Sequence, residues 1–296
     1  MKILKRFGPI LLGLSLMIVL LLGAARCQSV IIDPGYRLEA YDPQPFQEVL
    51  ASVVQDGLVD YEKLRNEHQD SLNLYLDAVA RFGPATTPGR FATPEDRLAY
   101  HLNVYNAIML RRWLDAGAGR SGGDSNAKVH KAWFFFDLWL VDGKRISLDA
   151  LEQRIIRPTY QEPRIHFALV CGAMSCPSLL DEPFVGERLD DQLESLGNRW
   201  LKEPDGLHVD EDGVVWMSSI FQWYLDDFEA MGELAGVIDR FLDDEDSRRS
   251  AALDAAQNGR IQFLPYDWSI NRYSVKRQKP DLGIGSNAEN NQEADT

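Results

Sequence analysis

The stretch Leu138-Trp139-Leu140-Val141-Asp142-Gly143-Lys144-Arg145-Ile146-Ser147-Leu148 decides the fold class. Asp-Gly is a strong hairpin signal, because a two-residue turn of this type needs positive φ at both central residues. The first strand is expected to run from Ala132 to Val141, an aromatic-rich segment, and the return strand from Lys144 to Ile146. Ser147 then caps a helix reaching about Ile156, which Pro158 is expected to end.

Outward from this hairpin, helices and short strands interleave. Toward the N-terminus, Phe46 to Val54 and Tyr61 to Arg81 read as helices, the second with Leu64, Leu72, Tyr75, Leu76 and Val79 at helical spacing. Thr93-Pro94-Glu95-Asp96 opens the strongest helix, with Thr as N-cap, Pro in the first position and acids in the first turn. It is expected to run to Asp115, where Gly117 and Gly119 stop it. Toward the C-terminus, Arg164 to Val170 reads as a buried strand and Leu189 to Leu201 as a helix. Leu207 to Val209 and Val214 to Met217 flank Glu211-Asp212-Gly213 as a second hairpin. A helix capped by Ser218 or Ser219 through Met231, a helix from Glu233 to Leu242 and a strand from Ile261 to Leu264 complete the reading. With no regular βαβ alternation, the chain reads as an α+β protein: a single domain of helices interleaved with short antiparallel strands and hairpins, residues 46–275.

The flanks read differently. Lys2, Lys5 and Arg6 precede an apolar run from Ile10 to Leu22 and the small residues Gly23, Ala24 and Ala25. That pattern is a signal peptide or an N-terminal anchor over residues 1–29, and it places the body across the inner membrane, periplasmic or secreted. Arg26 before Cys27 argues against a lipoprotein signal. Residues 30–45 read as a linker, and the acidic, Asn-rich residues 276–296 as a disordered tail.

Charge limits the function classes. The chain carries −14, and residues 1–29 hold four cations and no acid, so the remainder carries −18. Such a surface repels phosphates, which excludes nucleic-acid binding as the main task. Membrane contact is expected only through the N-terminal segment. No Gly-rich phosphate loop, HExxH helix or GxSxG elbow occurs, and no cofactor is expected.

Three stretches place polar residues among apolar ones. On the strong helix, Asn103 and Asn106 share a face. Asparagine is a poor mid-helix residue, so both need a reason: bonding to a neighbouring loop backbone, or donating to an oxyanion. His101 on the same helix reads as a surface histidine. In the second stretch, Arg164 to Pro177, strand alternation would put His166 and Cys171 on opposite faces, while Cys176 beyond the Gly/Ser turn is free to fold over either. Cys171 and Cys176 read either as a disulfide of an exported protein or as a reactive thiol pair. Metal binding by His166, Cys171 and Cys176 would require a fourth ligand. In the third, Asp267 lies between Tyr266 and Trp268 and needs a partner, for which Arg164 and His166 are the candidates.

These segments together resemble the family called domain of unknown function 547. The resemblance is carried by Asp60-Tyr61, Tyr100 to Ala107 with both asparagines, Leu148 to Arg157 with Glu152, Arg164 to Pro177, Ser219 to Phe228, and Tyr266 to Asn271. His101 departs from the family's usual Trp. The resemblance implies a domain and no established reaction, substrate or cofactor. Two functional expectations follow from the residues. One is an exported binding or scaffold domain built round a buried polar network of Asn103, Asn106, Arg164, His166 and Asp267, its aromatic residues meeting a peptide, glycan or protein partner. The other is a thiol-dependent hydrolase or acyl transferase, with Cys176 or Cys171 as nucleophile, His166 as base, Asp267 as its orienter and Asn103 or Asn106 as oxyanion donor.

Overall fold

In the computed structural model, residues 27–28, 37–120 and 132–273 are described. The expectations for residues 1–26, for residues 30–36 of the linker and for the tail at 276–296 lie outside them. Cys27 and Gln28 form β1, an edge strand parallel to a later strand. Helix α1 (Gln44–Val53) buries Phe46, Val49, Leu50 and Val53, one face at helical spacing. A small hairpin follows, β2 (Val54–Gln55) with β3 (Leu58–Val59). Its turn residues Asp56 and Gly57 have φ of 50° and 79°, the geometry expected of Asp-Gly.

Helix α2 begins at Asp60, which accepts a capping bond from the Lys63 N–H at 2.9 Å. It runs as Tyr61–Lys63, a widened π turn at Leu64–His68, and Gln69–Arg81. Helix α3 (Pro94–Asp115) starts in a full capping box: Thr93 Oγ1 accepts from the Asp96 N–H, and the Asp96 carboxylate accepts from the Thr93 N–H. Every residue from Leu98 to Leu110 is buried, so α3 is the core helix around which the rest packs.

The hairpin of the 138–146 region forms with the expected turn, Asp142 and Gly143 both at positive φ. The aromatic run before it differs from expectation. Ala132–Phe136 is a short helix, α4, and only Leu138–Val141 is strand β4, paired with β5 (Lys144–Ile146) and with β1 on its other edge. A continuous apolar run carries no periodicity to separate strand from helix, and a three-residue partner strand pairs with only a few residues. Helix α5 begins at Ser147, whose hydroxyl accepts from the Ala150 N–H at 3.1 Å. It spans Leu148–Leu151, a π turn at Glu152–Ile156, and Arg157–Tyr160. Pro158 therefore lies inside the helix rather than ending it. The widened turn before it removes the bond and the close carbonyl that a proline ring cannot accept.

The strand expected over Arg164 to Val170 is instead a 3₁₀ turn at Pro163–Phe167 followed by an irregular segment. The residues are buried on all sides, so the sequence shows no alternation. Asn106 completes the backbone here in place of a neighbouring strand. Its Nδ2 donates to the Ala168 carbonyl at 2.9 Å, and its Oδ1 accepts from the Val170 N–H at 3.0 Å. Asn103 does the same at Phe184, at 2.9 and 2.8 Å. Two asparagines one turn apart on a buried helix thus act as a strand edge for two flanking segments.

Helix α6 (Leu189–Lys202) precedes the hairpin of β6 (Leu207–Val209) and β7 (Val215–Met217), and β8 (Gln262–Phe263) joins β7 in parallel. Between them lie α7 (Ser219–Trp223), a 3₁₀ segment at Leu225–Met231, α8 (Glu233–Phe241) and α9 (Arg249–Gln257). The fold is α+β, with antiparallel pairs and two parallel additions. Phe167, Trp200, Phe221, Phe228 and Phe241 form a second, aromatic part of the core. No helix among the described residues is long and apolar enough to cross a membrane.

His101 is not at the surface. It is buried on α3 and shares a 2.9 Å hydrogen bond with the Tyr160 hydroxyl. Burial lowers its pKa from 6.5 to about 4, against a small opposing effect of the Arg97 backbone. Below pH 6.5 the unfolded chain takes up this proton and the folded chain does not, so stability falls as pH drops toward 4. The expected loss is on the order of 3 kcal/mol. Urea denaturation of the wild type and His101→Gln at pH 7 and pH 4.5 checks this, since the variant should show a shallower decline.

Candidate functional site

The site is assembled by the loop after Val170. Gly172 turns the chain at φ +77°, and a Cβ there would lie 2.2 Å from Trp113 Nε1, so no side chain fits. That indole donates to the Cys171 carbonyl at 3.2 Å. Residues 172–174 then run antiparallel to 269–271: the Asn271 N–H donates to the Gly172 carbonyl and the Met174 N–H to the Ser269 carbonyl. This pairing carries Tyr266, distant in sequence, to the cysteines.

Cys171 and Cys176 are both free thiols. The Cys171 N–H donates to Cys176 Sγ at 3.1 Å, and the Tyr266 hydroxyl lies 3.1 Å from Cys176 Sγ and 3.5 Å from Cys171 Sγ. Burial pushes the Cys176 thiol up. The Cys171 thiol, the Tyr266 hydroxyl and the Ala173 and Cys171 backbone outweigh it and bring its pKa down to about 7. Cys171 moves the other way: its bond to Cys176, then burial, raise it well above the ordinary thiol value. One of the two sulfurs is thus set to carry the negative charge.

Both thiols line a cavity of about 330 Å³. His166 lines it too, held by Asp227: Nε2 lies 2.7 Å from the carboxylate. Arg157 grips both oxygens of Asp227 at 2.7 Å each. Burial would raise the Asp227 pKa, but His166 and Arg157 hold it well below the usual carboxylate range. The Tyr224 ring stacks on the imidazole, centroids 4.0 Å apart, and its hydroxyl donates to Glu152 at 2.7 Å. Nε2 is engaged by Asp227, which leaves Nδ1 as the other ring nitrogen. The remaining wall is aromatic: Trp223, Tyr266 and Trp268 are mutually packed, with centroids 4.5 to 5.7 Å apart.

The expected site residues are therefore divided. Cys171, Cys176 and His166 share one cavity, and the opposite-face argument fails because the segment is not a strand. Asp267 does not reach His166 or Arg164. Its carboxylate accepts from the Ser269 N–H, and its backbone meets Ser175. Arg164 pairs with Glu162, Asp190 and Glu194. Asn103 and Asn106 give their amides to loop backbone and do not line the cavity. The single network expected from Asn103, Asn106, Arg164, His166 and Asp267 is thus several separate ones. Asp227, Arg157 and Tyr224 complete the histidine arrangement, and sequence reasoning gave none of them a catalytic part. The available signal was that Ser219 to Phe228 and Leu148 to Arg157 both belong to the family-like segments.

Fold and site together define an α+β domain with a thiol pair and a carboxylate-held histidine in one cavity. Residues 90–201 match the model of the family described as a protein of unknown function, DUF547, which shows the resemblance to that family. The matched span holds both asparagines, Glu152, Arg157, His166 and both thiols, while Asp227 and Tyr266 lie beyond it. The comparisons with curated proteins and with solved structures find no match.

Proposed function

We propose that this domain carries out thiol-dependent acyl transfer or hydrolysis, with Cys176 as nucleophile and His166, held by Asp227, as the proton carrier. The single observation behind this is that a sulfur with a depressed pKa and a carboxylate-held imidazole open into the same 330 Å³ cavity. The Cys176 thiolate attacks the carbonyl carbon of an ester, thioester or amide, and protonated His166 gives its proton to the leaving group as that bond breaks. His166 then takes a proton from water, or from an acceptor nucleophile, which attacks the S-acyl group and releases the thiolate. Asp227 fixes the orientation and tautomer of the ring. A scaffold role would give no reason for a polarised thiol and a carboxylate-held histidine to line one cavity. The charged and apolar pattern of residues 1–29 supports placing this chemistry outside the inner membrane, which cell fractionation would test.

The test is acylation by p-nitrophenyl acetate followed by peptide mapping. The acetyl group is expected on Cys176. Its rate of formation should rise with pH to a midpoint near about 7, because only the thiolate reacts. A midpoint near the unperturbed value of 9.0, or labelling no faster than a model thiol, would overturn the reading.

A further inference from the structure

The cavity around Cys176 has an unusual charge character. Asp149 and Glu152 line it, and among the described residues no Lys or Arg does. Glu152 is buried, 7 % exposed, and its carboxylate accepts from the Tyr224 hydroxyl and from Gln153 Nε2, both at Oε1. It forms no ion pair among the described residues. Arg157, the cation whose field it shares, has its guanidinium committed to Asp227 and Gln153. A buried carboxylate held by neutral donors alone is incompletely compensated. Trp223, Tyr266 and Trp268 line the cavity as well, aromatic π-systems attract cations, and Trp223 is 47 % exposed.

We infer that the substrate of this cavity is cationic: an acyl compound carrying an ammonium or comparable positive group, taken up by Glu152 and the aromatic wall while its carbonyl meets Cys176. The inference rests on the acyl-transfer reading and names its substrate class. A neutral or anionic acyl group would leave Glu152 incompletely compensated, and an anionic one would also face Asp149 and the Cys176 thiolate.

The test has two arms on the full chain. In the first, tryptophan fluorescence reads binding of choline and of its neutral carbon isostere, 3,3-dimethylbutan-1-ol. Choline should bind about tenfold more tightly, and Glu152→Gln should bring the ratio of the two affinities close to one. In the second, hydrolysis of acetylthiocholine is compared with that of S-(3,3-dimethylbutyl) thioacetate, and kcat/KM should favour the cation by a similar factor. Equal binding of the two probes together with equal turnover of the two thioesters overturns the cationic class while leaving acyl transfer standing. Selective, Glu152-dependent choline binding without turnover of either thioester upholds the cation site and overturns acyl transfer. Failure of both probes to bind overturns the inference.

Discussion

Cys176→Ala is expected to abolish covalent acylation and to lower the turnover of activated esters at least ~10³-fold, because removing the nucleophile leaves only binding and proton transfer. Cys171→Ala provides the contrast. It removes a side-chain bond that lowers the Cys176 pKa, so the pH midpoint of acylation should rise and the rate at neutral pH fall, with the acyl group still on Cys176. Intact-mass and peptide-mapping measurements of both variants, at matched helicity by circular dichroism, separate the two roles. Acyl transfer that persists unchanged in Cys176→Ala would remove this residue from the mechanism.

Asn106→Ala is expected to cause one of the largest single-residue losses of stability in the chain. The substitution strands the Ala168 carbonyl and the Val170 N–H, both in a buried segment. At roughly 1–3 kcal/mol for each of the two unsatisfied groups, the loss should be about 2–6 kcal/mol, a large part of a typical domain's stability. Urea denaturation measures it, and a loss under about 0.5 kcal/mol would refute the account. Asn103→Ala should cost a similar amount through Phe184. The two differ at the site. Residues 168–170 lead directly into Cys171, so Asn106→Ala should also shift the thiol reactivity of Cys176, and Asn103→Ala should not.

Helix ends and tight turns were legible because their chemistry is local. Thr93 with Asp96 closes a capping box within four residues, and Asp142-Gly143 supplies its own positive φ. The segments read incorrectly are those buried on every side. Arg164 to Val170 and the aromatic run before Leu138 offer no contrast between inward and outward positions, so a period of two and a tight helical turn look alike. His101 was read as exposed because neighbours four residues apart did not place it on a face. The core helix buries all of its faces.

The candidate site divides along the same line. The sequence by itself determined the α+β class, the interleaving of hairpins and helices, and the gathering of His166, Cys171 and Cys176 within a few residues. It also marked Asn103 and Asn106 as polar groups in need of partners. Only the tertiary structure decided that those partners are backbone, that Asp227 rather than Asp267 holds the histidine, and that Tyr266 comes to the thiols from ninety residues away in sequence. The reason is physical. A cap or a turn is fixed by atoms a few bonds apart, whereas the charge on a buried sulfur or imidazole depends on which distant groups packing brings within hydrogen-bond reach.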